Sequence, residues 1–145
     1  MFKRFRQSWW PFTAVFLLAL LLTPSPTFAD DDEWRARYWN NTSFEGDPAL
    51  VRNEEEIDND WGDGSPNEDV INTDGFAARW TRTIDFAAGT YRFTTTGDDG
   101  MRVFLDDTQI IDVWYDSQVH TTTADVFVAA GDHTIKVEYY EAGGG

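Results

Sequence analysis

The chain has 145 residues, no cysteine and a formal net charge of -15, with 26 acidic residues against 11 Lys and Arg. That length supports one domain with its own core, and the missing cysteines exclude disulfides and any lipid anchor attached through a thiol. Phosphate backbones are held by Lys and Arg clusters, so the acid excess argues against nucleic acid and anionic membrane surfaces. Neutral sugars and divalent cations fit its sign better, and much of the excess serves solubility.

Lys3, Arg4 and Arg6 precede a continuous apolar run from Trp9 to Leu22, which Pro24 and Pro26 end. The run is short beside the ~20 residues of a membrane span. It has the layout of a secretory signal over residues 1–29, with cleavage expected after Ala29 in Thr27-Phe28-Ala29. An uncleaved anchoring helix is the alternative. A cleaved signal implies a secreted or cell-surface protein, and it removes three cations, taking the net charge from -15 to about -18. Residues 30–33, Asp30-Asp31-Asp32-Glu33, read as an acidic, solvated terminus.

Residues 34–145 read as one all-β domain. Trp34 to Asn40 alternates as a first strand, with Tyr38 inward. Asn40-Asn41-Thr42-Ser43 contains a glycosylation acceptor pattern, relevant only in a host with the enzyme. Gly46-Asp47-Pro48 turns the chain into a short edge strand, Leu50-Val51-Arg52, and Asn53-Glu54-Glu55-Glu56 reads as exposed acid. Ile57 anchors a long loop from Asp58 to Asp74, rich in Asp, Asn and Gly. The spacing and terminal Glu of a helix-loop-helix calcium site are absent, so Asp58, Asp60 and Asp63 read as turn formers. Trp61 is either a plug under this loop or an exposed sugar platform, and large aromatics are mostly buried.

Phe76, Ala78 and Trp80 face inward by alternation, and Ile84 and Phe86 continue a second strand. Ala87-Ala88-Gly89 leads into a predicted central hairpin. Its strands are Tyr91 to Thr96 and Met101 to Leu105, joined by the turn Gly97-Asp98-Asp99-Gly100. Asp106-Asp107-Thr108 turns again into Gln109 to Trp114. Ser117 to Thr123 is polar and ambiguous, and Asp125 to Val128 is a strand. After a turn at Gly131-Asp132, Ile135, Val137 and Tyr139 face inward, with Lys136, Glu138 and Tyr140 outward. Short strands at this spacing predict an antiparallel β-sandwich or barrel.

The pair Asp98 and Asp99 is the main chemical candidate. Neighbouring side chains in a strand point to opposite faces. Two adjacent carboxylates therefore reach one ion only where the backbone leaves the strand conformation. The flanking glycines allow that, and a cis peptide between the two Asp would do the same. Calcium takes six to eight oxygen ligands. Asp-Gly is also a preferred hairpin turn pair, which needs no metal. Sugar faces stack on aromatic rings, for which Trp114, Tyr115 and Trp61 are the candidates. Glycosidase carboxylates stand about 5–9.5 Å apart on separate segments, unlike two Asp in one turn. His120 and His133 are distant in sequence, and no nucleophile motif or phosphate loop occurs, so an enzyme is not expected.

Gly97-Asp98-Asp99-Gly100-Met101-Arg102-Val103-Phe104-Leu105-Asp106 resembles the central motif of the protective-antigen, or PA-fourteen, domain. Trp34-Arg35-Ala36-Arg37-Tyr38-Trp39-Asn40-Asn41, Asp60-Trp61-Gly62-Asp63-Gly64-Ser65-Pro66 and the segment from Gly131 to Glu141 agree with it in order. The resemblance implies an antiparallel β-sandwich and, in its carbohydrate-binding members, a calcium ion held by two Asp across a cis peptide. Carried over, the metal ligands are Asp98 and Asp99, with Glu141 near the later side-chain ligand and the Gly143 and Gly145 carbonyls beside it. Fungal adhesins have Asn where this chain has Glu141. The implied partners are glycans or cell-surface polysaccharide, together with further domains of the same protein. Family members also continue past the glycine turn into another strand, so a C-terminally truncated domain is expected from the stop at Gly145.

Overall fold

The computed structural model describes residues 32–143. The expected signal segment and Gly145 lie outside the described residues. Within them the chain is antiparallel strand and loop, without helix. In chain order the strands are β1 (Trp34–Trp39), β2 (Leu50–Glu54), β3 (Phe76–Phe86), β4 (Gly89–Gly97), β5 (Gly100–Leu105), β6 (Thr108–Val113), β7 (His120–Val128) and β8 (Gly131–Glu141). They form a six-stranded sheet, ordered β2-β1-β3-β8-β5-β6, and a two-stranded sheet of β4 and β7. This is the predicted all-β sandwich architecture.

Alternation builds the core. Ala36 and Tyr38 of β1, Phe76, Ala78 and Trp80 of β3, Met101, Val103 and Leu105 of β5, and Ile135, Val137 and Tyr139 of β8 are buried together. Tyr38 meets Trp80 and Trp61 edge-on, with centroids 5.9 and 6.3 Å apart. Glu54, expected to be exposed, instead ends β2 at the edge of this cluster. It accepts hydrogen bonds from the Tyr38 hydroxyl, from Trp80 Nε1 at 2.8 Å and from Arg52 Nε at 2.7 Å. Burial alone would raise its carboxyl pKa, but those bonds outweigh it and hold the group below the usual range.

β3 runs unbroken from Phe76 through Ile84 to Phe86, because β8 pairs with it along its whole length. Three strand expectations change. β7 begins at His120, since its threonines pair with those of β4 from Thr94↔Thr123 to Thr96↔Thr121. Glu138 and Tyr140, expected outward in solvent, are 2% and 7% exposed under a second layer of side chains. Most important for the site, β4 and β5 are not a hairpin: β4 lies in the small sheet and β5 in the large one. Asp98 and Asp99 therefore carry the chain from one sheet to the other.

A cavity of about 1210 Å³ lies beside β4, with Met101, Ile135 and Val137 among its lining residues. Phe93 to Asp98 of the β4 segment and the loop from Glu55 to Gly64 also line it.

β5 and β6 do form the second predicted hairpin. Leu105 pairs with Thr108, leaving Asp106 (φ 46°) and Asp107 (φ 63°) as a two-residue turn. Both angles are the left-handed ones that right-twisted hairpins demand, and Asp tolerates them. Asp106 Oδ1 accepts from the Thr134 N–H at 2.9 Å, and Oδ2 lies 2.5 Å from His133 Nδ1. This contact raises the His133 pKa above its usual 6.5. The His133 bond first, then the Thr134 N–H, lowers Asp106 below its usual 3.8. The His133 contribution is present below pH 6.5 and fades as pH rises through the folded value. The Asp106 contribution is present above pH 3.8 and fades as pH falls through its lowered value. The tether is thus complete between those limits. Asp106→Asn should move the His133 imidazole midpoint, read by NMR titration, down towards 6.5. An unmoved midpoint would show that the contact does not form in solution.

Candidate functional site

The peptide between Asp98 and Asp99 is cis. Asp99 is 7% exposed. Its Oδ1 accepts from the Ser117 N–H at 3.1 Å and its Oδ2 from the Ala142 N–H at 2.9 Å. One carboxylate thereby ties the cross-sheet turn to the loop before β7 and to the segment after β8. The Asp98 side chain has no hydrogen-bond partner among the described residues. Its carbonyl lies 2.5 Å from the Tyr139 hydroxyl. Gly100, which follows, is close-packed: a Cβ there would overlap the Tyr140 ring.

Glu141 closes the same corner. Its Oε2 lies 2.7 Å from the Tyr139 hydroxyl, and its Oε1 accepts from the Gly143 N–H at 3.0 Å. Tyr139 therefore has one proton for two acceptors. Burial first, then Glu141, Asp99 and Asp98, pushes its pKa far above the ordinary tyrosine value, so it remains a neutral donor. Tyr140 donates to Asp116 Oδ1 at 2.7 Å and is raised by burial, then by Asp116 and Asp99. Gly143 adopts φ 113°, a conformation that suits glycine alone.

Among the described residues no Lys, Arg or His forms an ion pair with Asp98, Asp99, Asp116 or Glu141. The donors are all oxygens, the chemistry a hard divalent cation takes. Each Asp99 oxygen already accepts one backbone N–H, and the Asp98 side chain has no hydrogen-bond partner among the described residues. Glu141 is engaged by Tyr139 and Gly143, and no three metal-ligating side chains gather among the described residues.

The three aromatic candidates are dispersed. Trp61 packs on Phe76 and Tyr139 with centroids 5.4 and 5.8 Å apart, which makes it a plug at the end of the core. Trp114 lies on the outer face of the large sheet, edge-on to Tyr140 at 4.6 Å and stacked on Phe44 at 6.0 Å. Tyr115 is 60% exposed and stacks on His120. Of the three it alone offers an open ring.

Sequence reasoning missed the outer layer itself. Glu138 is buried between Arg79 and Arg102, whose Nε atoms lie 2.7 and 2.5 Å from its two oxygens. The Arg79 guanidinium lies over Phe44 and Trp39, and that of Arg102 lies 4.0 Å from the Trp114 ring centroid. The available signal was large apolar residues on both phases of one strand, Tyr38 with Trp39 and Tyr139 with Tyr140.

Residues 35–145 match the family model of the PA14 domain. The chain belongs to the PA14 domain family. This PA14 domain is 35% identical over 109 residues to the anti-sigma-I factor RsgI3 of Acetivibrio thermocellus, covering 74% of this chain and 17% of that protein. A solved anti-sigma factor domain-containing protein shares 34% identity at a TM-score of 0.69, over 75% of this chain and 38% of that one. The PA14 sugar-binding domain from an RTX adhesin superposes at a TM-score of 0.67 with 16% identity, over 77% and 84% of the two chains. The last likeness is one of fold. The PA14 domain thus spans less than a fifth of its curated relative.

Proposed function

We propose that this PA14 domain is a non-catalytic carbohydrate-binding module of a secreted or cell-surface protein, with calcium held by Asp98 and Asp99. The observation that carries the reading is the cross-sheet turn, where two consecutive carboxylates have no cationic partner among the described residues. Asp99 is fixed by two backbone N–H groups, and Asp98 is left without a side-chain partner. Bound calcium would supply coordination positions for neighbouring sugar hydroxyls. Tyr139, as a neutral donor, holds Glu141 beside the turn, and Tyr115 offers a ring for a sugar face. The sugar-binding RTX adhesin domain is built on the same fold. The anti-sigma relatives, of which this chain spans 17% and 38%, support reading it as one module of a longer protein.

A metal-free interaction domain is the second reading. It is favoured by the two hydrogen bonds that already satisfy Asp99. Calcium titration calorimetry on the chain, followed by glycan-array binding with and without a chelator, separates the two. Heat of calcium binding with chelator-sensitive glycan capture supports the module. Silence in both assays leaves the interaction domain.

A further inference from the structure

We propose that Arg79 and Arg102 form a subsite for the carboxylate of an acidic sugar on the outer face of the six-stranded sheet. The inference rests on the carbohydrate-binding reading for the sugar, and on the arginines for the charge. Of the eight Lys and Arg after the leader, Arg35, Arg37, Arg79, Arg102 and Lys136 lie on this one face. They alternate with the core residues of β1, β3, β5 and β8. Five of the eight Lys and Arg that follow residue 29 are therefore gathered on one side.

Arg79, Glu138 and Arg102 stand in one row across three neighbouring strands. Adjacent strands are about 4.8 Å apart, so the two arginine backbones flank a gap of about 10 Å. Glu138 sits in the middle and is 2% exposed. It takes the Nε edge of each guanidinium. The terminal Nη groups have no hydrogen-bond partner among the described residues, and the two side chains stay 30% and 28% exposed. One carboxylate thus orients two forks; with Asp112 of β6 opposite Arg102 and Arg37 of β1 opposite Arg79 in the same row, three arginines face two carboxylates. Guanidinium forks match carboxylates in a planar, two-bond geometry. The strong self-repulsion of this acidic chain favours a monoanion over a dianionic phosphate.

Phe44 and Trp114 stack between the two guanidiniums and hold them in place, their ring faces covered by one another and by the arginines. Phe44 is presented at φ 61°, uncommon for a bulky residue. Its loop is held by Asn41 Oδ1, which accepts from the Ser43 and Glu45 N–H groups at 3.2 and 3.0 Å. Along β5, Arg102 is two residues from Gly100, hence about 7 Å from the end of the strand that carries Asp99. A glycan lying across the Asp pair would place its next residue on the arginines.

The test uses methyl glucuronide and methyl glucoside, which differ only in the carboxylate. Each is titrated into the chain with calcium and, separately, with EDTA, while the Arg79 and Arg102 Nε–H resonances are followed by NMR. The glucuronide should shift both resonances and bind at least tenfold more tightly than the glucoside, with the difference surviving EDTA. Arg102→Lys keeps the charge and loses the fork; it should erase most of that preference while near-ultraviolet circular dichroism stays that of the parent. Equal binding of the two glycosides, or a preference untouched by Arg102→Lys, overturns the subsite. Calcium-dependent binding of both glycosides without preference would overturn it while leaving the carbohydrate-binding reading intact. No binding of either would remove both.

Discussion

Replacing Asp98 and Asp99 together with alanine should abolish the rise in melting temperature expected from calcium in the parent chain. A ligand that binds only the folded state stabilises it by RT ln(1 + [L]/Kd), or about 2.7 kcal/mol at a hundredfold excess over Kd. For a domain of this size each kcal/mol corresponds to roughly 4–8 °C. The double variant also starts lower without calcium. Asp99→Ala strips the Ser117 and Ala142 N–H groups of their acceptor in a part-buried corner, and because water reaches Ala142 the cost falls at or below the low end of the about 1–3 kcal/mol for a buried unsatisfied group. Asp98→Ala alone leaves those bonds in place, so it should lose the calcium response while keeping the calcium-free melting point. Differential scanning calorimetry of the three proteins, with calcium and with chelator, decides the matter. A calcium shift that persists in the double variant would remove the ion from this turn.

Glu138→Gln should cost about 3 kcal/mol in urea or thermal unfolding. Breaking a buried ion pair from one side costs about 3–5 kcal/mol. The lower end applies because both arginines keep roughly 30% of their side chains in water, where solvent takes over part of the lost interaction. An amide also has one oxygen in place of two. Its NH2 group must then face the Nε–H of Arg79 or Arg102, donor against donor. A loss below about 1 kcal/mol would mean that water replaces Glu138 almost fully, and that the arginines are not held by it.

The chain's own pattern accounts for the strands that bury one face. Phe76, Ala78 and Trp80 alternate and are buried, as do Ile135, Val137 and Tyr139. The Asp106-Asp107 turn was equally legible, because its chemistry is local. What alternation does not encode is which sheet a strand joins. Gly97-Asp98-Asp99-Gly100 has the composition of a hairpin turn, yet it serves as a crossover, since β8 takes the edge of β5 that β4 would have filled. The second side-chain layer was hidden for a related reason. Glu138 between two apolar neighbours reads as a solvated position. It is buried only because Arg79 and Arg102 arrive from strands 59 and 36 residues away in sequence. The Asp98-Asp99 pair was visible as a chemical oddity, but its holding groups were not. Backbone N–H groups of Ser117 and Ala142 leave no trace in residue type.

The placement of β8 has a consequence for how the molecule comes into being. It is the last strand of the described chain to be synthesised, yet it occupies the middle of the large sheet, between β3 and β5. Until it leaves the ribosome, β1, β2 and β3 form one fragment of sheet and β5 with β6 another, with nothing to join them. The domain therefore assembles after translation of Glu141 rather than progressively during it. Most of the groups that hold the cross-sheet turn wait on that closing event: Ser117 is made earlier, but Tyr139, Glu141 and Ala142 arrive with β8. Folding that depends on pairing across such separations is slow compared with local hairpin formation.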